Sequence, residues 1–261
     1  MARLEQRSAA GRLEVVARTQ REAESAGALA LEAWSEAPRQ AGFTEFAGGR
    51  AYFKLSALQG KTSLRYALKR GLLRAPLPRL SEFANLGWLR ENGFNAPEPL
   101  AAGALWRRGL PRFQFLLTRE VEGAGTLGSW MKEEKEPKER ARVLEELART
   151  VARMHELRFL HHDLFSRNIL VSSGSMSSRG SRVWFLDCWA GGLPPQARGP
   201  SYDLACLTLD VDGRFAPEER DRFLETYASA RGTKDPRFDL ERFRRCVARD
   251  RDALARKFAN P

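Results

Sequence analysis

The chain has 261 residues, 43% of them hydrophobic and 30% charged, with a formal charge of +11. That composition can bury a sizeable core in one large domain, or one domain of two lobes, and excludes a globally disordered chain. The absence of any run of ~18 apolar residues excludes a membrane-spanning helix. The basic balance favours polyanions as partners, whether nucleic acid, an anionic membrane or a phosphorylated substrate.

Residues 1–26 are polar and of mixed charge, and read as a helix or a mobile arm. Met1 to Ser25 lacks an apolar run, so no secretory signal is expected there. From Ala28 to Leu55 the pattern suggests strands and turns. Phe43 to Phe46 and Ala51 to Leu55 flank Ala47-Gly48-Gly49-Arg50, a hairpin turn. Residues 61–73 read as a helix with Leu64, Leu68 and Leu72 on one stripe and Lys61, Arg65 and Lys69 on another, ended by Pro76 and Pro78. A second helix spans 81–92. Ser81 caps it, Phe83, Leu86 and Leu89 form its apolar face, and Gly93 stops it.

Strands follow near Leu100 to Trp106 and Phe113 to Val121. Residues 137–158 carry the clearest helical periodicity, in Leu144, Leu147, Ala148, Val151, Met154 and His155. Two short strands, Ile169 to Val171 and Val183 to Leu186, enclose a serine- and glycine-rich loop, Ser172 to Arg182. From Tyr202 onward the chain reads as helices. This order predicts an α+β chain of two lobes, a β-rich one at about 27–119 and a mainly helical one at about 123–261, joined near Arg119 to Gly123. Cys188, Cys206 and Cys246 lack metal-type spacing and fit a reduced, cytoplasmic protein. No cysteine lies near His155, His161 and His162 to complete a zinc site.

The segment His161-His162-Asp163-Leu164-Phe165-Ser166-Arg167-Asn168 follows a long helix and precedes a strand. It has the H-x-D-L-x-x-x-N form of a kinase catalytic loop. Asp163 would take or orient the acceptor hydroxyl proton, and Asn168 would hold a metal ion with its carboxamide oxygen. Asp and Asn are also ordinary turn residues. Val183 to Leu186 is a hydrophobic strand ending in Asp187, one hairpin beyond Asn168. That is the position of a kinase metal-binding aspartate, with Asp187-Cys188-Trp189 in place of D-F-G. Lys54 stands in an apolar strand and Glu82 on a following helix, in the order of the kinase pair that grips the ATP phosphates. Each alone is equally a surface residue. Gly48-Gly49 lies too close to Lys54 to cover phosphates. A covering loop is expected near Ser35 to Gly42 instead, without G-x-G-x-x-G, with Arg39 or backbone amides taking part. Asp203, in Tyr202-Asp203-Leu204-Ala205, opens a helix. It is placed either to anchor the catalytic loop or simply to favour its own helix N-terminus.

From about Phe43 to Tyr227 these motifs resemble the lipopolysaccharide core kinases, the Kdo/WaaP family. The similarity rests on Tyr52-Phe53-Lys54 and the basic segment after it, on Glu82-Phe83, on Arg153-Met154-His155 before His161-His162-Asp163, and on Asp203-Leu204-Ala205. The resemblance implies a protein-kinase-like two-lobe fold. It implies ATP-dependent phosphorylation of a Kdo or heptose hydroxyl on the cytoplasmic side of the inner membrane. It further implies Asp163 as catalytic aspartate, Asn168 and Asp187 as Mg²⁺ ligands, and Lys54 and Glu82 as residues that position ATP. An anionic sugar or glycolipid is then the acceptor, peripheral contact with an anionic membrane is expected, and a specific nucleic-acid partner is not. Two departures stand out: His162 replaces the family's usual loop arginine, and the Ser172 to Arg182 loop is long. Serine/threonine protein kinase, inactive pseudokinase and nucleic-acid binder are the competing readings. The short run from Asp187 to Asp203, with no A-P-E motif, disfavours the first. The intact Lys54, Glu82, Asp163, Asn168 and Asp187 disfavour the second, and the third rests on charge alone.

Overall fold

The computed structural model describes residues 1–8, 10–36, 39–133, 135–172, 182–210, 215–232 and 238–259. The chain divides into two compact units, residues 1–91 with 97–121, and residues 92–96 with 122–261.

The first unit is built on a six-stranded antiparallel sheet. Its strands are β1 (Ala2–Ser8), β2 (Gly11–Ala17), β3 (Arg39–Phe46), β4 (Gly49–Ala57), β5 (Pro99–Arg107) and β6 (Leu110–Arg119), in the spatial order β1-β2-β5-β6-β4-β3. Helix α1 (Gln20–Glu36) covers one face. It does so through small residues: Ala23, Ala26, Ala30 and Ala33 are buried against Leu13 and Val15 of β2, Phe53 and Leu55 of β4, and Phe113 and Phe115 of β6. Side chains this short let the helix backbone approach the sheet closely. A Cβ on Gly27 would come within 2.9 Å of the Leu13 side chain.

Helices α2 (Gly60–Leu73) and α3 (Pro78–Glu91) both pack on β6, and α3 packs on β5 as well. Strand alternation sends Ala51, Phe53 and Leu55 of β4 into the core under α1, and turns Tyr52, Lys54 and Ser56 to the opposite face. The turn between β3 and β4 has two successive residues at positive φ, Ala47 at 50° and Gly48 at 75°, as a twisted two-residue hairpin requires.

The second unit is mainly helical, with α4 (Leu127–Trp130), α5 (Pro137–Glu156), α6 (Pro200–Asp210), α7 (Pro217–Gly232) and α8 (Leu240–Ala259). A small antiparallel sheet of β7 (Ala124–Thr126), β8 (Ile169–Ser172) and β9 (Val183–Phe185) completes it. Residues 92–96 belong to this unit. The Phe185 N–H donates to the Asn95 carbonyl (3.0 Å), and Arg153 donates to the Asn92 carbonyl (2.8 Å) while lying over the Phe94 ring.

The fold corrects several sequence expectations. Residues 1–26 are neither a helix nor an arm alone: 1–17 supply the edge hairpin β1–β2, so the β-rich unit begins at the first residue rather than near 27. The charged, alternating character of β1 is that of a solvated edge strand. The segment from Ala28 begins in helix, because alanine at close helical spacing carries the packing that larger residues usually signal. Ser35 lies in α1 and residues 39–42 in β3, so the phosphate-covering loop expected at Ser35 to Gly42 is helix and strand wherever it is described. Positions 37 and 38 lie outside the described residues, as does the Arg39 side chain. Ser81 lies inside α3, its N–H bonded to the Leu77 carbonyl, because Pro78 starts that helix a turn earlier. Most of the loop expected at Ser172 to Arg182, residues 173–181, lies outside the described residues.

Two glycines test this packing. A Cβ on Gly103 would meet the Glu14 carbonyl at 2.4 Å and the Phe115 ring at 2.6 Å, whereas on Gly87, inside α3, it would meet nothing within 4 Å. Gly103→Ala should lower unfolding stability by about 1–3 kcal/mol. Gly87→Ala should raise it by about 0.5–1 kcal/mol. Urea unfolding of both variants gives the comparison, and two changes of the same sign would contradict the packing described.

Candidate functional site

In the first unit, Lys54 and Glu82 meet. The Lys54 ammonium lies 3.1 Å from Glu82 Oε1, with the Lys54 side chain 17% exposed and that of Glu82 only 1%. The Arg79 guanidinium pairs with the other Glu82 oxygen. One buried carboxylate is therefore bracketed by two cations, the arrangement that offsets the desolvation of a buried charge. Sequence reading expected the Lys54–Glu82 pair but not its third member, Arg79. Its only signal was the i, i+3 spacing, on a helix whose expected start at Ser81 left Arg79 outside. Lys54 is one of a row at i, i+2, i+4 with Arg50 and Tyr52. The Tyr52 ring meets Phe43 edge-on at 5.1 Å, and Arg50 lies 4.3 Å over Phe43. That row is a cationic and aromatic strip along one face of β4.

In the second unit, the loop 161–168 is held at both ends. Asp203, wholly buried at the start of α6, accepts the N–H of His161 on Oδ2 and the N–H of His162 on Oδ1, each at 2.7 Å. The same Oδ2 lies 3.1 Å from His155 Nε2, and His155 Nδ1 lies 2.7 Å from the Tyr227 hydroxyl. A carboxylate only accepts, so Nε2 carries the proton. In the neutral ring Nδ1 then accepts from Tyr227. Burial alone would raise the Asp203 pKa, but the hydrogen bonds from His155 and from the His161 backbone N–H hold it below the ordinary range. Of the two roles open to Asp203 from sequence, anchor or helix-start carboxylate, it fills both. Tyr227 lies seventy-odd positions from its partner, and nothing local in the sequence marked it.

At the other end of the loop, Asn168 Nδ2 donates to the Asp163 carbonyl (2.8 Å) and to Asp163 Oδ2 (2.9 Å). Arg167 reaches Asp163 Oδ1 at 3.2 Å while lying 4.2 Å over the Phe165 ring. Burial pushes the Asp163 carboxyl above the ordinary carboxylate range against the pull of Arg167, and the nearby Asp187 carboxylate pushes it the same way. Burial also keeps the His161 imidazole below its usual value, hence neutral at pH 7. The Leu186 N–H donates to the Asn168 carbonyl at 2.8 Å, so the β8–β9 pairing delivers Asp187 beside the loop. Asp163, Asn168 and Asp187 thus come together within this unit. Arg167 belongs with them and was overlooked, although its i+4 spacing from Asp163 was visible.

Two residues here adopt left-handed backbone, His162 at φ 60° and Asp187 at φ 54°. Each costs on the order of 1–3 kcal/mol, which the surroundings must supply. For His162 they are the Asp203 bond, a contact of Nε2 with the Arg198 carbonyl at 3.1 Å, and an edge-on contact with Tyr202. Beyond Asp187 the chain turns back at once: Leu160 and Gly192 exchange both backbone hydrogen bonds (3.1 and 2.8 Å), and a Cβ on Gly191 would lie 2.1 Å from the Leu160 carbonyl. Asn168 uses its amide nitrogen on Asp163, so its carboxamide oxygen is not spent on that bond, and Asp187 follows directly after the Leu186–Asn168 backbone bond. Such a pair of hard oxygen donors suits Mg²⁺, which takes one or two carboxylates together with substrate phosphates.

The Asp203 anchor generates a graded stability test. At pH 7, Asp203→Asn should cost about 3 kcal/mol, because it breaks a buried pair. Tyr227→Phe should cost about 1 kcal/mol, one hydrogen bond. The folded pKa of Asp203 lies below its unfolded value, so the carboxylate's contribution is fully present above about pH 4 and is lost as pH falls through the folded pKa. Urea unfolding of wild type and Asp203→Asn should therefore converge below about pH 4, and a gap independent of pH would refute the assignment.

Comparison with known proteins identifies the family. The model of the lipopolysaccharide kinase (Kdo/WaaP) family matches residues 34–227. The chain is 35% identical over 106 residues to the 3-deoxy-D-manno-octulosonic acid kinase of Photobacterium profundum. It is 31% identical over 108 residues to a protein of that name from Haemophilus influenzae. Each match covers 41% of this chain and 41% or 42% of the relative, about two fifths of its length. Among solved structures, WaaP in complex with acyl carrier protein superposes with a TM-score of 0.59 at 19% identity, over 93% of this chain and 97% of that one. The fold is therefore protein-kinase-like, and the chain belongs to the lipopolysaccharide kinase (Kdo/WaaP) family.

Proposed function

We propose that this protein is an ATP-dependent kinase that phosphorylates a sugar hydroxyl of the lipopolysaccharide core, of Kdo or heptose type. The observation that carries this reading is the Asp163 carboxylate. It is fixed by Asn168 and Arg167, raised in pKa, and set beside Asp187 in a loop clamped by Asp203. A raised pKa makes the Asp163 carboxylate a better base for an alcohol proton.

In this proposal Asp163 takes or orients the proton of the acceptor hydroxyl as its oxygen bonds to the γ-phosphorus and the bond to ADP breaks. Asn168 holds the Asp163 rotamer with its amide nitrogen, and its carboxamide oxygen and the Asp187 carboxylate would be the residues to hold a divalent cation. Bound Mg²⁺ would neutralise charge on the β- and γ-phosphate oxygens. Lys54, kept in place by Glu82, would grip the α- and β-phosphates. The pinning of Gly191 and Gly192 against Leu160, with Asp203 only about sixteen positions after Asp187, leaves little chain for an activation segment. This favours an anionic sugar or glycolipid acceptor over a protein. Among the described residues no helix is long and apolar enough to cross a membrane. We place the protein in the cytoplasm, at the inner face of the inner membrane.

ATP consumption against core sugars and glycolipids, with peptides as control, tests the proposal. Asp163→Ala should lose about 10²–10⁴-fold in turnover with ATP binding retained, and near-normal turnover would sink the assignment. The pH profile gives a sharper check. Activity needs ionised Asp163, so kcat/KM should fall as pH drops through a pKa above the ordinary value of about 3.9. Arg167→Gln removes a cation that stabilises the carboxylate, and should move that acid limb to still higher pH. Arg167→Lys should restore it. A limb at the same pH in all three proteins would remove Arg167 from the mechanism.

A further inference from the structure

Helix α2 is amphipathic the wrong way round. Leu64, Leu68, Leu72 and Leu73 are 52%, 53%, 80% and 73% exposed, and line an open apolar groove of about 390 Å³. Single exposed leucines need no explanation. Four on one helix make a contiguous patch of the kind that marks an interaction surface. The ridge is not a failed core contact, because the helix is tied down from its other side. The Ser63 hydroxyl donates to the Pro111 carbonyl at 2.6 Å. Arg70 pairs with Glu14 at 2.9 Å and lies 4.8 Å over the Trp106 ring, and Tyr66 packs into the small core there.

A row of cations, Lys61, Arg65 and Lys69, runs three residues ahead of Leu64, Leu68 and Leu72, hence alongside the ridge. The helix Gly60–Leu73 contains no acidic residue, and no ion pair to these three cations was found among the described residues. An apolar ridge edged by an uncompensated basic row matches the layering of an anionic bilayer, with phosphates above and acyl chains below. Lysine and arginine stems reach along apolar surface while their charges stay at phosphate level.

We propose that α2 is an interfacial helix: Leu64, Leu68, Leu72 and Leu73 enter the acyl boundary of an anionic membrane while Lys61, Arg65 and Lys69 bind the lipid phosphates. This goes beyond the proposed reaction and does not depend on it.

Sedimentation of the intact protein with vesicles of phosphatidylethanolamine and phosphatidylglycerol, against phosphatidylcholine alone, tests it. Wild type should bind the anionic vesicles, less so at high salt. Three juxtamembrane cations at about 1 kcal/mol each correspond to roughly a hundredfold in partitioning. The variant with Lys61, Arg65 and Lys69 all changed to Gln should lose about that much. The variant with Leu64, Leu68 and Leu72 all changed to Ser should lose tenfold or more at unchanged charge, with its far-ultraviolet circular dichroism and its turnover of a soluble, acyl-free sugar acceptor retained. A polarity-sensitive fluorophore on Leu72→Cys, in a Cys246→Ser background, should shift to the blue on binding. The proposal is overturned if wild type ignores anionic vesicles, including the case in which the ridge instead captures a protein. It is equally overturned if the leucine variant partitions like wild type, or if the fluorophore stays in water. Loss of sugar phosphorylation in every protein, with vesicle binding intact, would sink the proposed reaction and leave this inference standing.

Discussion

The second unit depends on one buried carboxylate. Asp203 has no access to water, yet it accepts two backbone N–H groups and an imidazole N–H. A charge so placed is tolerable only because every bond is made, and conversely each of those bonds fixes something. The two amides fix the entry to the loop, including His162 in a backbone conformation it would not adopt alone. The imidazole ties α6 to α5, and through Tyr227 to α7. Low dielectric strengthens such a network when it is complete and penalises it heavily when one member is missing. The site's geometry is therefore set a shell away from the residues that would meet substrate.

The first unit meets the same problem with charged side chains. Glu82 is buried at the sheet surface and held by Lys54 from β4 and Arg79 from its own helix. Strand alternation makes this possible: the residues on either side of Lys54 belong to the core beneath α1, so Lys54 must face the other way. The placement of one cation thus follows from the burial of Phe53 and Leu55.

How much of this was legible follows the range of the interaction. The loop at 161–168, the strand before Asp187 and the long helix α5 are written in short-range pattern, and the chain folds them where the pattern says. Lys54 and Glu82 could be paired only by analogy with the kinase motif, since their contact spans 28 positions and no local pattern brings them together. The edge hairpin β1–β2 and helix α1 were misread because their signals are small residues and solvated strand charges, which look like an unstructured arm. Tyr227 and Arg79 were missed for a different reason: each acts through a partner that only the fold supplies. The leucine stripe of α2 was seen, but a stripe does not say whether it faces inward, and here it faces out.

The approach of Gly191 to the Leu160 and His161 carbonyls, where a Cβ would sit 2.1 and 2.6 Å away, has a consequence for how such a site can change over generations. Only glycine lacks a Cβ, so any codon change that alters this residue adds an atom where there is no room. The position is a mutational dead end: drift cannot explore it one step at a time, and insertions beside it must first undo the Leu160–Gly192 pairing. Innovation in what the site accepts has to come from elements that can vary without touching that seam.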